Sequence, residues 1–84
     1  ASEDVERQQL IKSIQQHLSD DADDAETLIE QALAASPDDA ELQFWCGRVM
    51  GVQAQQAFLS ALSYAKRSLA CFQQAVALAP DKVD

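Results

Sequence analysis

Residues 25–37 read AETLIEQALAASP and residues 68–80 read SLACFQQAVALAP. Laid over one another, they set Ala25, Ile29, Ala32 and Pro37 opposite Ser68, Phe72, Ala75 and Pro80. Small residues at matched positions let two helices approach closely, and the bulky one fills the space between them. The proline cannot continue a helix and so opens the next segment. The pattern therefore predicts one helical unit written twice, over about residues 4–37 and about residues 38–80.

The rest of the chain supports helix. Ala and Gln dominate, β-branched residues are few, and apolar residues recur at spacings of three and four. Leu10, Ile11, Ile14 and Leu18 mark one face of a first helix over about residues 3–19, with Glu3, Asp4 and Glu6 at its positive end. The polar run at residues 19–24 interrupts the pattern and supplies caps for a second helix that begins near residue 22. Its face is Ala25, Leu28, Ile29, Ala32 and Leu33, and it stops before Pro37. Ser36 is then the expected N-cap of a third helix, with Pro37 at its first position and Asp39 completing a capping box. Leu42, Trp45, Cys46, Val49 and Met50 form the inner face of that helix. Neither Gly nor Pro occurs from Val52 to Ala79, so propensity alone draws one helix to Ala79. Helices average ~11–12 residues, which places a break within residues 54–60, with Ser60 as a cap. Beyond it Ala61 or Leu62, Ala65, Leu69, Phe72, Val76 and Ala79 make a second stripe, ended by Pro80 and followed at residues 81–84 by a tail that is frayed or cut mid-repeat.

At 84 residues and 48% apolar content the chain has room for one domain, or for a piece of a longer repeat array. Six bases against fourteen acids give −8, which speaks against nucleic acid and anionic membrane surfaces as partners. The charge is uneven. Residues 1–41 hold twelve acids and two bases (−10), and residues 42–84 hold two acids and four bases (+2). Acids at helix starts account for most of this, and the difference in sign favours packing of the two halves together or a head-to-tail contact between copies. No apolar stretch approaches the ~18 residues of a membrane span. Compartment stays open between a cytoplasmic chain and one exported after signal removal.

Chemistry is sparse. His17 is the single histidine, and no nucleophile motif accompanies it. Cys46 and Cys71 stand apart without a C-x2-C, which speaks against zinc and for two buried thiols on facing helices, a disulfide being the alternative in an oxidising compartment. The aspartates at 20–24 lack the glycine and terminal glutamate of a calcium loop, since Glu26 and Ala32 occupy those positions. Gly47 and Gly51 form a G-x3-G step that predicts close helix packing. No Asp-Ser-Leu occurs, which removes the acyl carrier reading of a small acidic helical chain. No catalytic residue, metal ligand or cofactor is therefore expected.

The repeated segment resembles the second helix of a tetratricopeptide repeat, whose pattern runs A-x3-F and on to P. The first-helix motif is similar to the segment around Phe44, Trp45, Cys46 and Gly47, with Cys46 and Gly47 at its L-G pair, Met50 at its Tyr position and Gln43 in place of its Trp. The first unit lacks that signature, with Gln9, Lys12, Ser13 and Gln16 there, and the two prolines stand 43 residues apart against a family period of ~34. About nine extra residues fall at 51–60. The resemblance implies an all-α fold of about four helices, antiparallel pairs stacked as a short right-handed solenoid, acting as a non-enzymatic scaffold that binds a protein or peptide segment or a second copy. By the same resemblance the lining of its concave face includes Arg7, Leu10, Ile14 and His17 from the first helix and Glu41, Phe44 and Arg48 from the third, although Leu10, Ile14 and Phe44 read first as core and Arg7 and Glu41 as solvated. Arg48 stands out as the sole base between Lys12 and Lys66, beside two aromatics. A homodimer exchanging merged third and fourth helices is one expected assembly. A structural element of a longer repeat protein, with no groove of its own, is the alternative function.

Overall fold

The computed structural model describes residues 2–80, and side chains from residue 5 onward. The acids at positions 3 and 4 and the tail at 81–84 therefore lie outside the described side chains. Four helices follow in chain order: α1 (Ser2–Asp20), α2 (Ala22–Ala35), α3 (Ala40–Gln56) and α4 (Ala61–Leu78), with no strand among the described residues.

Each boundary has a local cause. Asp21 sits in an extended conformation between α1 and α2, and its carboxylate accepts from the backbone N–H groups of Asp23 and Asp24 at 3.1 and 3.4 Å. α2 ends where the Ser36 N–H closes on the Ala32 carbonyl at 2.9 Å, and Pro37 prevents continuation. The start of α3 differs from the capping box at Ser36. Residues 36–38 form the turn, and Asp39 is the N-cap, accepting from Glu41 N–H at 3.0 Å and Leu42 N–H at 3.2 Å. The reason is tertiary, since Arg7 of α1 grips the same carboxylate and holds it over the helix start. The long Gly- and Pro-free stretch does break inside residues 54–60: α3 stops at Gln56 and α4 begins at Ala61. Ser60 occupies the cap position without a side-chain capping bond.

α3 and α4 run antiparallel, as the pairs Cys46–Cys71, Gly47–Ser68 and Phe44–Phe72 require, and Gln53 near the end of α3 meets Asp23 and Glu26 near the start of α2, so those two helices are antiparallel as well. The core consists of Ile11 and Ile14 from α1, Ala25, Ile29 and Ala32 from α2, and Leu42, Cys46, Val49 and Met50 from α3. These are the stripes that the apolar spacing marks, so periodicity places the first three helices correctly. Ile14 is fully buried and belongs to the core instead of a groove lining.

α4 departs from its stripe. Ala75 is its one buried residue, while Tyr64 and Cys71 pack against the core from its inner side. Leu62, Leu69 and Val76 face outward. Two short contacts choose this rotation. The Cys46 and Cys71 sulfurs are joined 2.06 Å apart, replacing the two free thiols expected from their spacing. One residue along each helix, the Phe72 ring presses onto Gly47, where a Cβ would lie 2.6 Å from two of its carbons. The Ser68 hydroxyl adds a hydrogen bond to the Gly47 carbonyl at 2.7 Å. Gly47 is thus a true close approach, whereas a Cβ on Gly51 would meet only the Ser68 Oγ at an ordinary 3.5 Å.

Candidate functional site

The five residues singled out by sequence separate into two clusters and an outlier. Arg7 and Glu41 belong to the first. From α1, Arg7 forks onto Asp39, with Nε 2.8 Å from Oδ2 and Nη2 2.9 Å from Oδ1, and Nη2 also reaches Glu41 Oε1 at 3.0 Å. The guanidinium holds the Asp39 carboxyl below its ordinary value of 3.8, although partial burial opposes the shift. Arg7 is correspondingly raised above the usual arginine range by the same hydrogen bond. An open groove of about 450 Å³ lies alongside, walled by Glu6, Leu10, Ala35 and Leu42. Its one cation is already neutralised, so the cluster ties α1 to the start of α3 and leaves Arg7 no charge to offer a partner.

Phe44 and Arg48 belong to the second cluster, on the outer side of α3. Successive turns of a helix place residues four apart on one face, so Arg48 lies over Phe44. Its guanidinium carbon stands 6.0 Å from the Phe44 ring centre and 5.5 Å from that of Trp45. Phe44 meets Trp45 edge to face at 5.6 Å and Phe72 of α4 at 5.7 Å. The rings are half-buried and Arg48 is exposed, with no salt bridge to any described residue. The result is a cation held beside two half-buried rings, a surface suited to a carboxylate that pairs with the guanidinium while its chain lies against the aromatics.

His17 joins neither cluster. It sits half-buried in the last turn of α1, where its carbonyl accepts from the Asp21 N–H at 2.6 Å. Among the described residues its ring makes no hydrogen bond, and no three His, Cys, Asp or Glu side chains stand together as a metal site.

Sequence reasoning missed a third cluster, centred on Glu26. Gln53, only 5% exposed, donates to Asp23 and to Glu26 Oε1 at 2.7 Å each. The Tyr64 hydroxyl donates to the same Oε1 at 2.9 Å, and Arg67 reaches Oε2 at 3.4 Å and Glu30 at 3.4 Å. Donating to a carboxylate pushes the Tyr64 phenol above its ordinary 10.0. The signal was Gln53 itself: it continues the Cys46, Val49, Met50 stripe of α3, and an amide in a core row needs partners.

No known family, curated protein or solved structure matches the chain. Any functional reading therefore rests on the chain's own surfaces. Among the described residues, no helix is long and apolar enough to cross a membrane.

Proposed function

We propose that the chain is a non-enzymatic protein-interaction module of tetratricopeptide type, which receives an acidic segment of a partner on the Arg48 platform. The observation that carries this reading is Arg48, exposed and unpaired among the described residues, laid over Phe44 and Trp45. Arg and aromatic residues dominate the energetics of protein interfaces because they bury large area while keeping a directional charge. The platform already holds the guanidinium in place, which lowers the ordering entropy that a partner must offset. The internal repeat and the antiparallel helix order support stacking of two units, with α1 and α3 presenting one common surface.

Trp45 is the single tryptophan and lies under the guanidinium, so its fluorescence reports occupancy directly. Peptides carrying Asp or Glu beside an aromatic residue are expected to change that emission saturably. Arg48→Glu is expected to abolish the change while the far-UV circular dichroism stays that of the parent. Equal binding by Arg48→Glu, or no response to any acidic peptide of a displayed set, refutes the reading.

The second reading is a structural element of a longer helical-repeat protein, and the uncovered apolar side of α4 is the observation that favours it.

A further inference from the structure

Six large apolar side chains are exposed among the described residues, and five of them lie on α4 or the loop before it. Phe58 is 91% exposed, Leu59 92%, Leu62 68%, Leu69 59% and Val76 48%; the sixth, Val5, stands alone on α1. Contiguous apolar surface of this kind marks an interaction site. Leu62, Leu69 and Val76 are seven residues apart, with exposed Ala65 between the first two, which is the spacing of a helix that pairs with another helix. The helix carries no acid from Ala61 to Leu78. Of its two bases, Arg67 is turned onto Glu26 and Glu30, and Lys66 has no ion pair with a described residue.

We infer that this face of α4 is a self-association surface, on which a second copy of the chain packs its own α4 antiparallel about a twofold axis at Leu69. The inference is independent of the Arg48 platform. Three observations select this occupant. First, the pattern is its own complement: with seven residues on either side of Leu69, an antiparallel partner sets Leu62 against Val76 and Leu69 against Leu69. Second, the outer side of α1 does not match. The outer side of α1 presents exposed Gln8, Gln9, Lys12, Gln15 and Gln16, so a head-to-tail contact would bury amides against leucines.

Third, charge restricts the orientation. The first 41 residues carry −10, and two copies meeting through α1 or α2 would bring those acids together. Meeting through α4 keeps them outside. In the antiparallel arrangement the two Lys66 residues are offset by six residues, or ~9 Å along the axis, whereas a parallel pair would set them side by side. A helix of 18 residues rises ~27 Å, and Phe58 and Leu59 overhang its start to reach the exposed Ala77 and Pro80 at the partner's far end. A strip of this size falls at the lower end of stable interfaces, which bury ~800 Å² per partner, so a dissociation constant in the micromolar range is expected.

Sedimentation equilibrium of the whole chain, from micromolar to millimolar concentration, tests this. The mass is expected to rise from 9.2 kDa to twice that value with concentration. Leu69→Lys places two charges at the axis and is expected to raise the dissociation constant about 100-fold or more. Because Leu69 is exposed, its helicity should match the parent; Leu62→Lys repeats the test at the periphery of the seam. Mixed Leu62→Cys and Val76→Cys chains are expected to cross-link to each other in a glutathione buffer. A chain that stays at 9.2 kDa throughout overturns the inference and gives the face to a different occupant, such as a further helical pair. Dimers indifferent to Leu69→Lys, or Leu62→Cys chains that cross-link to themselves, overturn it as well.

Discussion

Gly47→Ala is expected to destabilise the chain, whereas Gly51→Ala, one turn further along the same helix, is expected to stabilise it. Replacing a helical glycine by alanine contributes ~0.8–1 kcal/mol through the backbone alone, at either position. At Gly51 nothing opposes that gain, because the nearest atom to the new methyl is the Ser68 Oγ at 3.5 Å. At Gly47 the methyl would stand 2.6, 2.6 and 2.7 Å from Cδ1, Cε1 and Cζ of Phe72, against a comfortable carbon separation of ~3.5–4.0 Å. An overlap of about 1 Å must be relieved by moving α4 or by turning the ring out. Neither is free. The neighbouring residues, Cys46 and Cys71, are covalently joined with their Cα atoms 5.8 Å apart, and the ring is in edge contact with Phe44. Overpacking costs ~1–3 kcal/mol, and these tethers place Gly47 in the upper part of that range. Subtracting the helical gain leaves a net loss of about 1–2 kcal/mol, or roughly 5–15 °C in Tm for a domain of this size. Thermal and urea unfolding followed at 222 nm measures it. With Phe72→Leu as background, Gly47→Ala should revert to a small gain, a coupling of at least about 1 kcal/mol. A Gly47→Ala chain as stable as its parent would refute the close approach of α3 and α4.

Two further perturbations probe the remaining tethers. Asp39→Asn keeps the cap on α3 but removes the charge that Arg7 grips, and a loss of about 1 kcal/mol or less is expected because Arg7 is partly exposed. Since folding lowers the Asp39 pKa from 3.8, its contribution is complete above that value and drains away as pH falls through the lower folded value. The gap between parent and variant should thus be constant from neutral pH to ~5 and close below ~4; a gap that widens in acid would contradict the pairing. Reduction of Cys46–Cys71, which closes a loop of sequence separation 25, is expected to remove about 3.5 kcal/mol on the loop-entropy relation. Urea titration with and without reductant measures this, and unchanged midpoints, or thiols that alkylate before reduction, would refute the bond.

Apolar spacing made α1, α2 and the inner face of α3 legible, because each buries one broad stripe and the stripe is written in the residue order. It misplaced the rotation of α4, whose best stripe is the one left outside. That helix is oriented by a glycine, a sulfur pair and a serine hydroxyl, none of which weighs much in a hydrophobic pattern. Local rules place the start of α3 three residues early for a related reason: Ser36 and Asp39 are equivalent caps by those rules, and only Arg7, 32 residues away, distinguishes them. Of the proposed contact residues, Phe44 and Arg48 stand together because a helix repeats every turn. Arg7 and Glu41 were visible as charges, but their mutual neutralisation required the fold. His17 remained apart from both clusters.

The Glu26 cluster bears on how the first two helices and the last two depend on each other. An apolar seam between helices is forgiving, since sliding by part of a turn still sets carbon against carbon. A carboxylate at that seam is not. Oε1 receives Gln53 and Tyr64, Oε2 receives Arg67, and the three donors come from α3 and α4 while the acceptor comes from α2. The arrangement works like a key in a shaft, admitting one angle between the helix pairs. If α3 and α4 melt away from α2, a carboxylate only 16% exposed loses the three side chains that donate to it. Repeat arrays ordinarily gain or lose units one neighbour at a time. With α2 keyed to α3 and α4 through Glu26, the four helices are expected to unfold in one transition instead of pair by pair.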